Sequence, residues 1–241
     1  LHTNTTGGDN VAIGVESLRF NTTGTSNVVV GKDAAQCNTT ANNNVAIGLK
    51  ASALNKTGTA NVSVGACAAY NSICGNNTAI GSDALQANTC GVYNVAVGLN
   101  ALAANTTASK NTAVGSNALL VNTTGDHNTA SGYRALECNT TGTLNTASGV
   151  ESLKKNTTGS NNSAFGSQAF LENTTGANNT ASGYKALASN TTGVCGTAIG
   201  SCAGHSNTTG AFNVFMGSRA GYTNTTGAAN TFIGKDSGYY T

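Results

Sequence analysis

The chain has 241 residues with 31 Gly, no Pro, no Trp, 7 Cys, 11 Lys+Arg and 9 Asp+Glu, so 8% of it is charged where an ordinary soluble chain has about 25%. A chain that is 39% apolar but only 5% aromatic excludes both a typical enzyme domain with a large aliphatic-aromatic core and a charged disordered tail. A net charge of +2 with singly scattered basic residues gives no footprint for nucleic acid, and apolar runs such as Val28-Val29-Val30 are far too short for a membrane span.

The first element, Asn10-Val11-Ala12-Ile13, closes on Gly14, and the same segment recurs at Gly31, Gly48, Gly65, Gly81, Gly98, Gly115, Gly132, Gly149, Gly166, Gly183, Gly200, Gly217 and Gly234. Fourteen copies follow one another at a spacing of 17, with a single spacing of 16 between Gly65 and Gly81. The unit reads approximately N-(V/T)-A-(I/V/S)-G-x-x-A-L-x-x-N-T-T-G-x-x. A period this short, with two Gly and an Asn-Thr-Thr tract, rejects helix pairs. Alternating β-branched segments such as Asn44-Val45-Ala46-Ile47 and Asn94-Val95-Ala96-Val97, bounded by Gly and Asn, predict short strands. Two strands and two turns per unit make one coil of an all-β parallel solenoid, a β-roll or β-helix in which each coil hydrogen-bonds to the next. Residues 1–241 are expected to form a single array, a rod of about 65–70 Å at the usual inter-strand spacing.

Counted from the repeating Gly, the residue two before it is Ala in Ala12, Ala46, Ala79, Ala96 and most other coils, and the residue four after it is Leu in Leu85, Leu102, Leu119, Leu136, Leu153 and Leu187. Near the C-terminus Phe215 and Phe232 take the Ala position while Gly221 and Gly238 take the Leu position. Such volume exchange predicts that both positions share one dry interior, with Gly204 making room for Phe215. Strand neighbours must then point outward. In the first coils these are Val11/Ile13, Val28/Val30, Val45/Ile47 and Val62/Val64, an apolar stripe that predicts contact with a partner chain; in middle coils they are Thr129/Ser131, Thr146/Ser148 and Thr180/Ser182. Charges collect two residues after the Gly, from Glu16 and Asp33 to Arg219 and Asp236, marking a solvated corner where stacked neighbours such as Asp33 and Lys50 can pair.

Catalytic and metal-ligating constellations are not found in the pattern: His2, His127 and His205 sit at variable turn positions and read as solvated histidines, and no cofactor is implied. The seven cysteines show no CxxC or zinc spacing. Cys74 and Cys90 fall at nearly the same phase of adjacent coils, within disulfide reach; Cys67/Cys74 and Cys195/Cys202, which recur with identical spacing, are the competing bridges, and small buried thiols are the third reading. The corner Asn-Thr-Thr is also a glycan acceptor pattern in a secreted chain, at Asn4, Asn21, Asn38, Asn55, Asn105, Asn122, Asn139, Asn156, Asn173, Asn190, Asn207 and Asn224. The structural reading of the same residues is an Asn/Thr ladder bonding from coil to coil.

Segments such as Asn10-Val11-Ala12-Ile13-Gly14, Asn44-Val45-Ala46-Ile47-Gly48 and Thr78-Ala79-Ile80-Gly81 resemble the repeat of YadA-type trimeric adhesin heads. With Asn-Thr-Thr-Gly between them they are similar to repeats of bacterial surface proteins and viral tail-fibre-like proteins. The resemblance covers essentially the whole chain and implies a left-handed parallel β-roll serving as an extracellular fibre or adhesive stalk on a cell or virion surface. It implies copies of the same chain as partners, in a homotrimer or filament. Function is therefore expected to be structural and not enzymatic, with an ice-binding solenoid or a viral receptor-binding shaft as alternatives. Adjacent corner threonines such as Thr191-Thr192 must diverge, which weighs against ice binding at that corner. Leu1-His2-Thr3-Asn4 matches Leu18-Arg19-Phe20-Asn21 in phase and the chain stops at Thr241 where the next corner Asn is due, so a longer array or head-to-tail stacking is expected.

Overall fold

The computed structural model describes residues 2–240, so the phase match of Leu1 and Thr241 lies outside the described residues. It is all-β, with fourteen three-residue strands, β1 (Val11–Ile13) to β14 (Thr231–Ile233), one per repeat. The chain divides into two compact units, Leu1–Thr124 and Gly125–Thr241. In the first, β1 to β7 (Thr112–Val114) lie parallel in sequence order, each strand pairing with the next, as in Val11↔Val28 and Ala46↔Ser63. At Val62↔Thr78 the register absorbs the shorter repeat without slipping. In the second, β8 (Thr129–Ser131) to β14 do the same, from Thr129↔Thr146 to Phe215↔Phe232. Both units are parallel β-solenoids.

The coil differs from the expected two strands. Among the described residues strand is formed by the segment before the repeating Gly; the residues after it turn, because those two and four positions past the Gly adopt left-handed backbone, as in Asp33 (φ 57) and Ala35 (φ 42) or Arg134 (φ 57) and Leu136 (φ 51). A third left-handed residue, such as Asn43 (φ 58) or Tyr93 (φ 59), precedes each strand. Each such residue costs about 1–2 kcal/mol if it carries a Cβ, and the stacking repays it: the turning segment still bonds to the next coil, Leu18 N–H to Ala34 O at 3.0 Å and Phe20 N–H to Gln36 O at 3.1 Å. The repeating Gly is fixed by packing as well as by its φ. A Cβ on Gly65 (φ +132) would lie 2.6 Å from the carbonyl carbon of Gly81 in the next coil, so these glycines stack backbone on backbone.

The interior holds the expected residues. Ala46, Ala79, Ala96, Leu85, Leu102 and Leu119 of the first unit and Ala130, Ala147, Leu136, Leu153 and Phe170 of the second are fully buried. Phe215 is fully buried between Gly204 and Gly221, at either of which a Cβ would collide with its ring. Where the Leu and Ala positions of neighbouring coils become Ser52 and Ser63, their hydroxyls bond to each other at 2.7 Å, so the polar pair is satisfied inside the core. Inter-coil ion pairing occurs at Arg219–Asp236 (2.8 Å) and Lys155–Glu172 (2.6 Å); the expected Asp33–Lys50 pair is not formed among the described residues.

Candidate functional site

Two asparagine ladders run along the corners of the coils, with Ser72 taking the place of one Asn in the first, where it accepts from Asn88 Nδ2 at 3.2 Å. The corner Asn of Asn-Thr-Thr is buried: Asn21, Asn105, Asn139, Asn156 and Asn173 are at 0% exposure, and Asn224, the most open of the interior ones, is at 4%. Asn156 Nδ2 donates to Asn139 Oδ1 of the preceding coil at 2.7 Å and to its own corner carbonyl, Gly159 O, at 2.9 Å; Asn38 Nδ2 binds Asn21 Oδ1 at 2.9 Å and Ala41 O at 3.2 Å. Both amide hydrogens are thereby used. An N-linked sugar would replace one of them and needs open space at the nitrogen, so glycan and closed ladder exclude each other at Asn38 and Asn156. The same burial encloses Asn21, Asn55, Asn105, Asn122, Asn139, Asn173, Asn190, Asn207 and Asn224. Of the twelve candidate acceptors only Asn4 is exposed. The next residue completes the corner, Thr22 Oγ1 donating to Thr39 O at 3.0 Å and Thr157 Oγ1 to Thr174 O at 2.9 Å.

The second ladder was hidden in the sequence, where the Asn before each strand reads only as a turn signal. Its members, among them Asn27, Asn94, Asn145 and Asn162, are buried at 0%. Asn145 Nδ2 donates to Gly159 O at 2.8 Å, and Asn145 Oδ1 accepts Asn162 N–H at 3.0 Å. Its regular recurrence immediately before the strand was the available clue. Gly196 interrupts it: Gly196 N–H still donates to Asn179 Oδ1 at 2.7 Å, but with no side chain to supply the next acceptor, Asn213 N–H has no partner among the described residues.

The outward face carries the predicted stripe. Val11 (46%), Ile13 (59%), Val28 (39%) and Ile47 (39%) are exposed, and Val30, Val45, Val62 and Val64 are half-buried beside them. Val15, Leu49, Leu99, Ile80, Val95 and Val114 extend it through the first unit. Within the second unit the corresponding ranks mix hydroxyls, Thr129/Ser131 and Thr146/Ser148, with exposed Tyr133, Phe165 and Tyr184.

His2 and His127 are exposed as expected. His205 is not a solvated turn residue: it is half-buried and stacks on Tyr222 at 5.0 Å, which stacks on Tyr239 at 5.2 Å. Burial and the nearby Lys185 push its pKa below the ordinary histidine value. All seven cysteines are free thiols. The structure brings Cys74 and Cys90 together, Sγ to Sγ 3.1 Å.

These observations define a class, the parallel β-solenoid whose coils are bonded by side-chain ladders as well as by backbone. No family model, curated protein or solved structure matches the chain.

Proposed function

We propose that the protein is a structural solenoid that assembles with copies of itself through the outward face of its first unit, serving as the building material of an extracellular fibre or stalk. The observation that carries this reading is the exposed apolar rank from Val11 and Ile13 through Ile47 and Ile80 to Leu99 and Val114. Seven strands about 4.8 Å apart, each showing an outward segment about 13 Å long, give a flat patch of about 450 Å². That is the size of the largest patch a monomer ordinarily shows, about 300–600 Å² and often functional, and two such patches face to face bury about 900 Å², the scale of a small interface between copies. At the strand positions and the residue after each repeating Gly of the first unit, Lys32 is the one charged residue, so like-charge repulsion between copies is slight. The similarity of the repeat to trimeric adhesin heads and fibre-like proteins supports the extracellular part of the reading.

Sedimentation of the purified chain tests it. The expected result is a species whose mass is a multiple of 23.8 kDa, reduced to the monomer by Ile13→Lys, Ile47→Lys and Ile80→Lys together, with the circular dichroism unchanged. A wild-type chain that stays monomeric at its highest soluble concentration overturns the proposal. A second reading, ice binding, is favoured by the outward pairs Thr129/Ser131 and Thr146/Ser148, which are one residue apart and so share a face. At the other corner, Thr191 spends its hydroxyl on Thr208 O at 3.2 Å while Thr192 is exposed, so those two do diverge. Thermal hysteresis in a monomeric chain would move the assignment to this second reading.

A further inference from the structure

The one spacing of 16 in the array falls between Gly65 and Gly81, and its structural consequence is local. The backbone lacks one residue at the Asn-Thr-Thr corner, so Cys74 occupies the place that Gly58 holds in the preceding coil. The carbonyls show this: Asn44 Nδ2 donates to Gly58 O at 3.0 Å, and Asn61 Nδ2 donates to Cys74 O at 3.1 Å. In the next coil the corner is complete again, with Asn77 Nδ2 on Gly91 O at 2.9 Å, and Cys90 immediately precedes that Gly. The missing residue therefore shifts Cys74 into the path of Cys90. Neighbouring coils hold both backbones, and the two sulfurs meet at 3.1 Å on the outer edge of the corner. Cys90 is exposed and Cys74 half-buried. Among the described residues none of the other five cysteines has a second sulfur beside it.

We propose that Cys74 and Cys90 are a dithiol oxidation site that closes into a covalent clip between adjacent coils, with exposed Cys90 as the point of attack by a small-molecule disulfide such as oxidised glutathione. In the first step Cys90 loses its proton to water and its thiolate attacks one glutathione sulfur, forming a mixed disulfide and releasing one glutathione thiolate. In the second, the Cys74 thiolate attacks the Cys90 sulfur, forming the Cys74–Cys90 bond and expelling the second glutathione thiolate. Two protein thiols are oxidised and one glutathione disulfide is reduced to two thiolates, which take up from water the two protons the cysteines gave up. The order follows from the surroundings of the two sulfurs. Cys74 donates its S–H toward Cys90, which keeps Cys74 protonated, and Cys90 is the exposed sulfur of the two. Burial and the neighbouring sulfur also push the Cys74 thiol up to about 11, so Cys74 is the slower, resolving partner.

The test is thiol counting and peptide mapping of the full chain after incubation with oxidised glutathione. The wild type is expected to lose two of its seven thiols, with the linked peptides mapping to Cys74 and Cys90 and both thiols restored by dithiothreitol. Cys74→Ser is expected to stop at a glutathione adduct on Cys90, and Cys90→Ser to leave Cys74 unmodified; circular dichroism confirms that each variant is folded. Seven thiols still free after treatment, a bridge mapping to Cys67/Cys74 or Cys195/Cys202, or a chain-to-chain dimer through Cys90 would each overturn the proposal.

Discussion

Replacing Gly196 by Asn is expected to stabilise the chain by about 2 kcal/mol, a gain assembled from two hydrogen bonds and a less flexible unfolded chain. At this corner position most other coils carry Asn, whose Oδ1 accepts the backbone N–H of the following coil and whose Nδ2 donates to a corner carbonyl, as Asn145 does for Asn162 N–H and Gly159 O. Gly196 can do neither, leaving Asn213 N–H without an acceptor among the described residues. The Gly196 backbone is not in the left-handed region, so a side chain there carries no backbone strain, and its Cβ would meet Asn179 Oδ1 at 3.0 Å, a contact relieved by a shift of a few tenths of an ångström in that side chain. The mirror experiment, Asn145→Ala, removes both bonds and strands a buried N–H, and should cost about 2–4 kcal/mol. In a chain of this size each kcal/mol moves the midpoint of thermal unfolding by roughly 2–4 °C, so melting curves of the two variants should shift in opposite directions. If Gly196→Asn melts no higher than wild type, the ladder does not act as a stabilising unit.

What the sequence displayed and what it concealed follow from how each feature is encoded. Solenoid class and interior were legible because burial repeats as chemistry: Ala46 and Ala79, then Leu102 and Leu119, stand at one phase, and Phe215 swaps volume with Gly204 and Gly221. The outward stripe was legible because Val11 and Ile13 flank an inward Ala by strand alternation. The turning half of the coil was not legible. Its left-handed residues include Arg134, Leu85 and Leu136, side chains with no local preference for that backbone, imposed by the stacking of coils. The corner asparagines were ambiguous for a related reason. One tripeptide serves as a glycan acceptor or as a ladder, and only the burial of the amide nitrogen separates the two. His205 misled because a lone ring at a turn reads as solvated until Tyr222 and Tyr239 are known to stack beneath it.

The largest effect is expected where the interior exchanges volume. Phe215→Ala should cost about 3–5 kcal/mol, the usual loss for emptying a buried aromatic site. Gly204→Leu should also destabilise strongly, by about 1–3 kcal/mol or more for overpacking, although it restores the residue that stands there in other coils. The left-handed backbone is not the obstacle, since Leu153 and Leu187 adopt φ 50 and 49 where Gly204 has φ 59. The obstacle is the Phe215 ring, which occupies the space a Cβ on Gly204 would need. Made together, the two substitutions recreate the Leu–Ala pairing of Leu136 and Ala147. The introduced leucine would fill what Phe215 vacates, and the double variant should recover at least about 2 kcal/mol over the sum of the singles, within the range measured for residues in contact. Denaturant unfolding of the four chains in the cycle measures that coupling. Additive losses would mean that the two positions do not share one cavity, and the inward-facing assignment of this corner of the coil would have to be abandoned.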